Sequence, residues 1–161
     1  MKEMTGNLWS TPSVLKCIPT NMQVGKAGLV MGAGIAKQAK DKWPDVSYHF
    51  GYYITEAKFH KGVFLLEPPP DVKLLMATEY IASFPTKNFW KMPSYLEIIE
   101  KSCLELVDLV NWANIWDVLL PEPGTGLGQL EWEDVKPVLE KYFDDRFTVI
   151  HYGEPLGSTG T

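Results

Sequence analysis

Three glycines within five positions, Gly124, Gly126 and Gly128, stand in the segment Gly124-Thr125-Gly126-Leu127-Gly128-Gln129, directly after the apolar run Val118-Leu119-Leu120-Pro121. Glycines at this spacing leave backbone N–H groups uncovered and let successive amides converge on one anion. A second glycine-bearing segment, Val30-Met31-Gly32-Ala33-Gly34-Ile35-Ala36, follows the loop of Asn21 and Lys26 and runs into a helical stretch. A helix start exposes unpaired amides and suits phosphate. One Gly-x-Gly pair alone is better explained by close helix-to-sheet packing. Two such segments, each at the end of a strand-like run, point to a phosphate-bearing ligand. Neither is followed by Lys-Ser or Lys-Thr, so neither is a Walker A loop, and ATP hydrolysis is disfavoured.

Other constellations carry less. His49, His60 and His151 are far apart, with no second ligand three or four residues away, so no metal site is expected. Cys17 and Cys103 form neither a disulfide framework nor a metal motif, and Cys103 falls on an apolar helix stripe that makes it a core residue. Glu131 and Glu133 suit a helix start better than a carboxylate pair. Trp43, Trp90, Trp112 and Trp132 are too scattered for a stacking platform, although Trp90 beside Lys91 could touch whatever a bound ligand is attached to. On residue type alone, Asn21 is a turn residue and Lys87 a solvated loop lysine.

The elements that position these residues read as alternating strands and helices. Strand-like runs are Gly6 to Trp9, Val14 to Ile18, Val63 to Leu66, Leu74 to Phe84, Ile115 to Leu120 and Phe147 to Tyr152. The clearest helix follows Ser94, where Leu96, Ile99, Cys103, Leu106, Val107 and Val110 form one stripe and Ser94 with Glu97 forms a capping-box pattern. A second helix is predicted from about Trp132 to Phe143, with Pro137 tolerated near its first turn, and a third from near Gly32 to before Pro44. Pro68-Pro69-Pro70 reads as a plain connection. The pattern predicts an α/β sheet with helices on both faces, whose ligands gather at the carboxyl ends of strands.

At 161 residues the chain is expected to form one domain. Hydrophobic residues at 45% and charged residues at 22% exclude disorder, collagen and coiled coil, and no apolar run is long enough to span a membrane. Fifteen basic against twenty acidic side chains leave a formal charge of −5, which argues against an extended duplex nucleic-acid footprint but not against a small anionic ligand. Met1 to Thr11 has no signal-like apolar region, so a reducing cytoplasm is the expected compartment.

The chain resembles the macro domains, a family that binds ADP-ribose, from about Thr5 to Tyr152. The resemblance rests on Val30 to Ala36, on Phe84-Pro85-Thr86-Lys87 with Trp90 and Lys91, and on Leu120-Pro121 through Gly124-Thr125-Gly126 to Leu130-Glu131-Trp132-Glu133-Asp134-Val135. It is most similar to the branch of terminal ADP-ribose protein glycohydrolases and DarG-type antitoxins, which remove ADP-ribose from DNA bases and carry a lysine where Lys87 stands. The resemblance implies a three-layer α/β/α macro domain with a mixed central sheet over residues 1–152 and no cofactor, while residues 153–161, with little to bury, read as a flexible tail. It implies ADP-ribose, or ADP-ribosylated DNA or protein, as the partner.

Residue by residue, the resemblance implies that Asn21 hydrogen-bonds the distal ribose and that Gly32, Gly34 and Ile35 present amides to one phosphate. Gly124, Thr125, Gly126, Leu127 and Gly128 wrap the other phosphate and the distal ribose. Asn7 stands where many members have an aspartate that accepts from the adenine amino group; an amide oxygen can accept there too, without charge. Tyr152 stands where an aromatic often stacks on adenine, or else packs at the strand end. Lys87 would face C1 of the distal ribose, attacking the ring-opened aldehyde once deprotonated or stabilising charge as the glycosidic bond breaks, with Asn21 beside it. Several protein glycohydrolases have an aspartate in the second loop where this chain has Gly128, which leans towards the antitoxin-like subset. A non-catalytic ADP-ribose reader and an ADP-ribose 1''-phosphate phosphatase remain as alternatives on the same fold.

Overall fold

The computed structural model describes residues 1–153. Eight strands, β1 (Lys2–Gly6), β2 (Ser13–Thr20), β3 (Val24–Gly25), β4 (Gly28–Leu29), β5 (Leu65–Leu66), β6 (Thr78–Pro85), β7 (Val118–Pro121) and β8 (Phe147–Tyr152), alternate with five helices. The helices are α1 (Gly34–Lys42), α2 (Val46–Glu56), α3 (Pro70–Met76), α4 (Leu96–Ala113) and α5 (Trp132–Tyr142). The main sheet has the order β1-β8-β7-β2-β6-β5. Its pairs are parallel except β5 against β6, so the sheet is mixed, and β3 with β4 makes a separate small ribbon.

Strand periodicity builds the layers. Leu15, Cys17, Val118, Leu120, Phe147 and Val149 point to one face, where they meet Ile99, Cys103, Leu106 and Val110 of α4 and Val135 and Leu139 of α5. Their neighbours Ile18, Leu119 and Ile150 point to the other face and pack with Ala39 of α1, Phe50 and Ile54 of α2 and Met76 of α3. Central strands covered on both faces have to be apolar at nearly every position, as these are. The result is the expected three-layer α/β/α sandwich. The cysteines are free and buried, Cys103 on the stripe facing the sheet.

Lys16 is the exception on β2, a buried lysine. Its Nζ donates to the Thr11 carbonyl (2.7 Å), Ser13 Oγ (2.9 Å) and the Ala77 carbonyl (2.8 Å), tying the start of β2 to the turn before β6. Burial pushes its ammonium down to about 8.

Several elements differ from the sequence expectation. The first strand is Lys2–Gly6, and Leu8–Ser10 is a 3-10 turn instead of a strand continuation. β1 is an edge strand with mostly exposed residues and so lacks an apolar signature. The run from Leu74 to Phe84 divides into the end of α3 and β6, with Ala77 in the left-handed conformation (φ 51°) between them. Pro70 opens α3, so the proline run is a helix entry. α2 is not anticipated; its buried Val46, Phe50 and Ile54 recur every four residues, but the exposed Tyr48, Tyr52 and Tyr53 between them blur the amphipathic pattern. Ser94 does not cap α4, whose N-cap position is Tyr95 without a side-chain bond. Pro137 lies inside α5, beyond its first turn, on an exposed face where water can reach the carbonyl that loses its donor. The expected tail beyond Gly153 lies outside the described residues.

Candidate functional site

At the carboxyl ends of β2, β6, β7 and β8 lie two cavities of about 820 and 970 Å³. They share Gly34, Ile35, Pro121, Glu122 and Gly126 in their walls, so they form one groove with a waist. Asn7, Ile150 and Tyr152 line one half; Asn21, Thr86, Lys87 and Trp90 line the other. Each half alone is the size of a small-molecule site.

Unpaired backbone amides line the waist. α1 starts at Gly34 with Ala33 at its N-cap position and no side-chain cap, so its first-turn amides remain unpaired and face the groove. Across from it, the amides of Thr125, Gly126, Leu127 and Gly128 have no acceptor among the described residues, while the loop is closed by Gln129 N–H to the Gly126 carbonyl (3.1 Å) and Leu130 N–H to the Gly124 carbonyl (2.9 Å). Gly124 adopts φ +80°, which a side chain would strain. A Cβ at Gly126 would meet nothing within 4 Å, because the position opens onto the groove. A Cβ at Gly128 would fall 2.5 Å from the Gly124 carbonyl oxygen and against Ser94, so this glycine serves the packing of the loop.

Ser94 is the stitch that holds this loop to the segment after β6 that bears the lysine. Its N–H donates to the Gly128 carbonyl (2.9 Å) and its hydroxyl to Thr86 Oγ1 (3.0 Å). Thr86 N–H in turn reaches the Thr20 carbonyl (2.9 Å). Lys87 follows at once, half-buried in the groove wall, with no carboxylate or hydrogen-bond partner for its amine among the described residues. Asn21 is buried; Nδ2 donates to the Val30 carbonyl (3.0 Å) and Oδ1 accepts from Gln23 N–H (3.0 Å). That leaves one N–H and one lone pair for a ligand, while the amide clamps the two sides of its loop.

All twelve candidate residues, from Asn7 to Tyr152, thus line one groove. Their individual details differ. Asn7 Oδ1 accepts from Trp9 N–H (2.8 Å), so half of its acceptor capacity is spent on the 3-10 turn. Tyr152 is 90% exposed at the groove edge, free to stack on a flat ring. Lys26 sits at the exposed β3–β4 turn and does not line the groove.

Two groove-associated groups escape the sequence reading. Glu122 lies at the waist, its carboxylate accepting from the Thr125 hydroxyl (2.9 Å) and lying 2.7 Å from His151 Nδ1. The available signal was its place between a strand end and the glycine loop. His151 is brought to Glu122 by the pairing of β7 with β8, which spacing along the chain does not reveal. Among the described residues no group of three or more His, Cys, Asp or Glu side chains could hold a metal ion, and no helix is long and apolar enough to cross a membrane.

A parallel-centred mixed sheet between two helical layers, with a groove between two glycine segments at the strand ends, gives this chain the fold of a macro domain. No family model matches the sequence. A DNA ADP-ribosyl glycohydrolase of Thermus aquaticus is 30% identical over 142 residues, 88% of this chain and 37% of the relative. The solved macrodomain of Mycobacterium tuberculosis DarG superposes with a TM-score of 0.76 at 28% identity, covering 95% of this chain and 97% of that one. Thermosipho africanus DarTG in complex with ADP-ribose gives a TM-score of 0.76 at 24% identity over 97% of this chain and 42% of its own, a likeness of fold. Among solved macro domains the chain is thus similar to those of DarG proteins. It spans 32 to 37% of the length of the curated DNA ADP-ribosyl glycohydrolases it matches.

Proposed function

We propose that this macro domain binds ADP-ribose along the groove and hydrolyses the bond between C1 of the distal ribose and a modified nucleic acid or protein. The observation that carries the reading is the waist, where unpaired amides of the second loop and the first turn of α1 face one groove whose far half holds an unpaired lysine. The diphosphate sits at the waist, adenosine lies in the half bounded by Asn7 and Tyr152, and the distal ribose lies beside Asn21 and Lys87. Backbone amides suit a diphosphate on an acidic protein because they supply positive dipoles without net charge.

Lys87 acts at C1. Protonated, it stabilises the charge that builds on the sugar as the glycosidic bond breaks; deprotonated, its amine bonds to C1 as the bond to the nucleic acid or protein breaks and that group departs with the proton, and water then hydrolyses the C1–nitrogen bond to release free ADP-ribose and the amine. The remaining N–H of Asn21 holds the ribose diol. Phe89, Trp90 and Met92 are exposed beside Lys87, Lys91 Nζ lies 5.2 Å from the Trp90 ring centre, and this wall meets the group leaving C1. A single macro domain over residues 1–152 in a reducing cytoplasm, with both thiols free, completes the reading. Glu131 and Glu133 have no part in it.

The test is release of ADP-ribose from ADP-ribosylated single-stranded DNA and from ADP-ribosylated protein, alongside calorimetric titration with free ADP-ribose. Release from either substrate supports the hydrolase. Binding without release on both leaves a reader, and phosphate liberated from ADP-ribose 1''-phosphate identifies the phosphatase instead.

A further inference from the structure

A carboxylate at the waist of a diphosphate groove is an unfavourable neighbour for the ligand. Glu122 occupies that place, and its surroundings form a chain of charged contacts. Glu122 Oε2 accepts from Thr125 Oγ1 at 2.9 Å, and Oε1 lies 2.7 Å from His151 Nδ1. His151 Nε2 lies 2.8 Å from Glu3 Oε1 on β1, and Glu3 Oε2 lies 2.8 Å from Lys136 Nζ on α5. The Trp132 ring of α5 covers the imidazole edge-on at 5.1 Å. Glu3 from β1, Glu122 from the end of β7 and, behind Glu3, Lys136 from α5 are the charged groups facing the ring; no further ion pair to it occurs among the described residues.

A neutral imidazole has one N–H and one bare nitrogen, whereas an ionised carboxylate only accepts. With a carboxylate oxygen against each ring nitrogen, only the imidazolium satisfies both contacts. Bonds from Lys136 and His151 hold the Glu3 carboxyl below its ordinary range, so it stays ionised. The row Glu122, His151⁺, Glu3, Lys136⁺ is then neutral. Loss of the imidazole proton leaves it with one net negative charge and loosens Glu122, whose other oxygen holds the loop that supplies the unpaired amides.

We infer that His151 is a positioning residue for the anion site: as an imidazolium it neutralises Glu122 and fixes the Thr125–Gly128 loop through it, so that affinity for a diphosphate ligand falls as the ring loses its proton. The inference rests on the ADP-ribose reading for its ligand but concerns residues that reading does not use. Ligand and ring proton then favour one another's binding, so affinity is higher in mild acid than in mild alkali.

The experiment is titration of the protein with ADP-ribose, whose diphosphate diester keeps the same charge throughout, at about pH 5.5 and about pH 8.5. Wild type is expected to bind roughly three- to tenfold more weakly at the higher pH, the size of one uncompensated charge several ångströms from the ligand in a partly screened site. His151→Gln should bind weakly at both. Glu122→Gln removes the charge that needs neutralising, so it should bind without the pH slope and restore affinity when combined with His151→Gln. A merely structural histidine would not be rescued in this way. Nuclear magnetic resonance of ligand-free protein supplies an independent readout, with the Thr125–Gly128 amides shifting together with the His151 ring signal in wild type and not in Glu122→Gln. A flat affinity profile in wild type, or an unchanged slope in Glu122→Gln, overturns the inference. If ADP-ribose binds at neither pH, the ADP-ribose reading fails, and the ligand-free titration decides the coupling, with absence of joint shifts overturning it.

Discussion

Gly126→Val separates binding from folding, because the position faces space that only a ligand fills. A Cβ built there meets nothing within 4 Å, and the backbone is outside the left-handed region, so the protein accommodates valine without clash or strain. Exposed substitutions of that kind change stability by about 0.5 kcal/mol or less. The branched side chain projects into the waist shared by both halves of the groove and keeps a phosphate from the amides of the loop. Losing two charge-assisted amide bonds at about 1.5 to 3 kcal/mol each weakens ADP-ribose binding by about two to four orders of magnitude. Calorimetric titration measures the loss, and circular dichroism with thermal melting checks the fold. Gly128→Ala is the contrasting control, since its methyl is driven against Ser94 and the Gly124 carbonyl; it should lower the melting temperature as well as affinity. Unaltered affinity in Gly126→Val would remove the loop from the ligand site and refute the reasoning.

Lys87→Ala should lower release of ADP-ribose from a modified substrate by at least about a hundredfold while changing affinity for free ADP-ribose only a few-fold, because the interaction of the amine develops as the bond breaks; equal release rates would reject Lys87 as catalytic. Trp90→Ala should slow release from ADP-ribosylated single-stranded DNA by roughly tenfold, the worth of one base stack, with free ADP-ribose binding unchanged, and an equal loss for free ligand would place the ring in the ADP-ribose site instead. Lys16→Met should cost about 2 to 5 kcal/mol in denaturant unfolding by stranding the Thr11 and Ala77 carbonyls. With its folded value near 8 below the ordinary 10.5, Lys16 penalises the fold most below pH 8, and the penalty is relieved as pH rises towards 10.5. The stability of wild type relative to Lys16→Met should therefore increase between pH 7 and 9.5; comparison with the variant is needed because burial raises both thiols, Cys103 to about 12, and their contribution to stability is lost as pH rises above 9. A constant difference across that range would show that its three acceptors cancel the cost of burying the ammonium.

Local chemistry decided much of this protein before any fold was known. Glycines at 124, 126 and 128 limit the loop to a few conformations, apolar residues at every third and fourth position select the face of α4, and covered strands declare themselves by continuous apolar runs. Those signals lie within a few residues of one another, which is why the α/β architecture and the two glycine segments could be read directly. Edge strand β1, with no buried face before Gly6, and α2, with tyrosines between its core residues, lack such local signals. Ser94 illustrates the limit most clearly. Its spacing to Glu97 satisfies a capping box, yet tertiary packing takes its hydroxyl to Thr86 and its amide to the Gly128 carbonyl, a buried acceptor that would otherwise lack a partner. Lys87 and Asn21 stand 66 positions apart and share a wall only because β2 pairs with β6. Glu122 and His151 meet because β7 lies beside β8, and Glu3 joins them from β1 on the far side. Such contacts depend on strand order, which is set by the burial of the whole sheet rather than by the residues that touch.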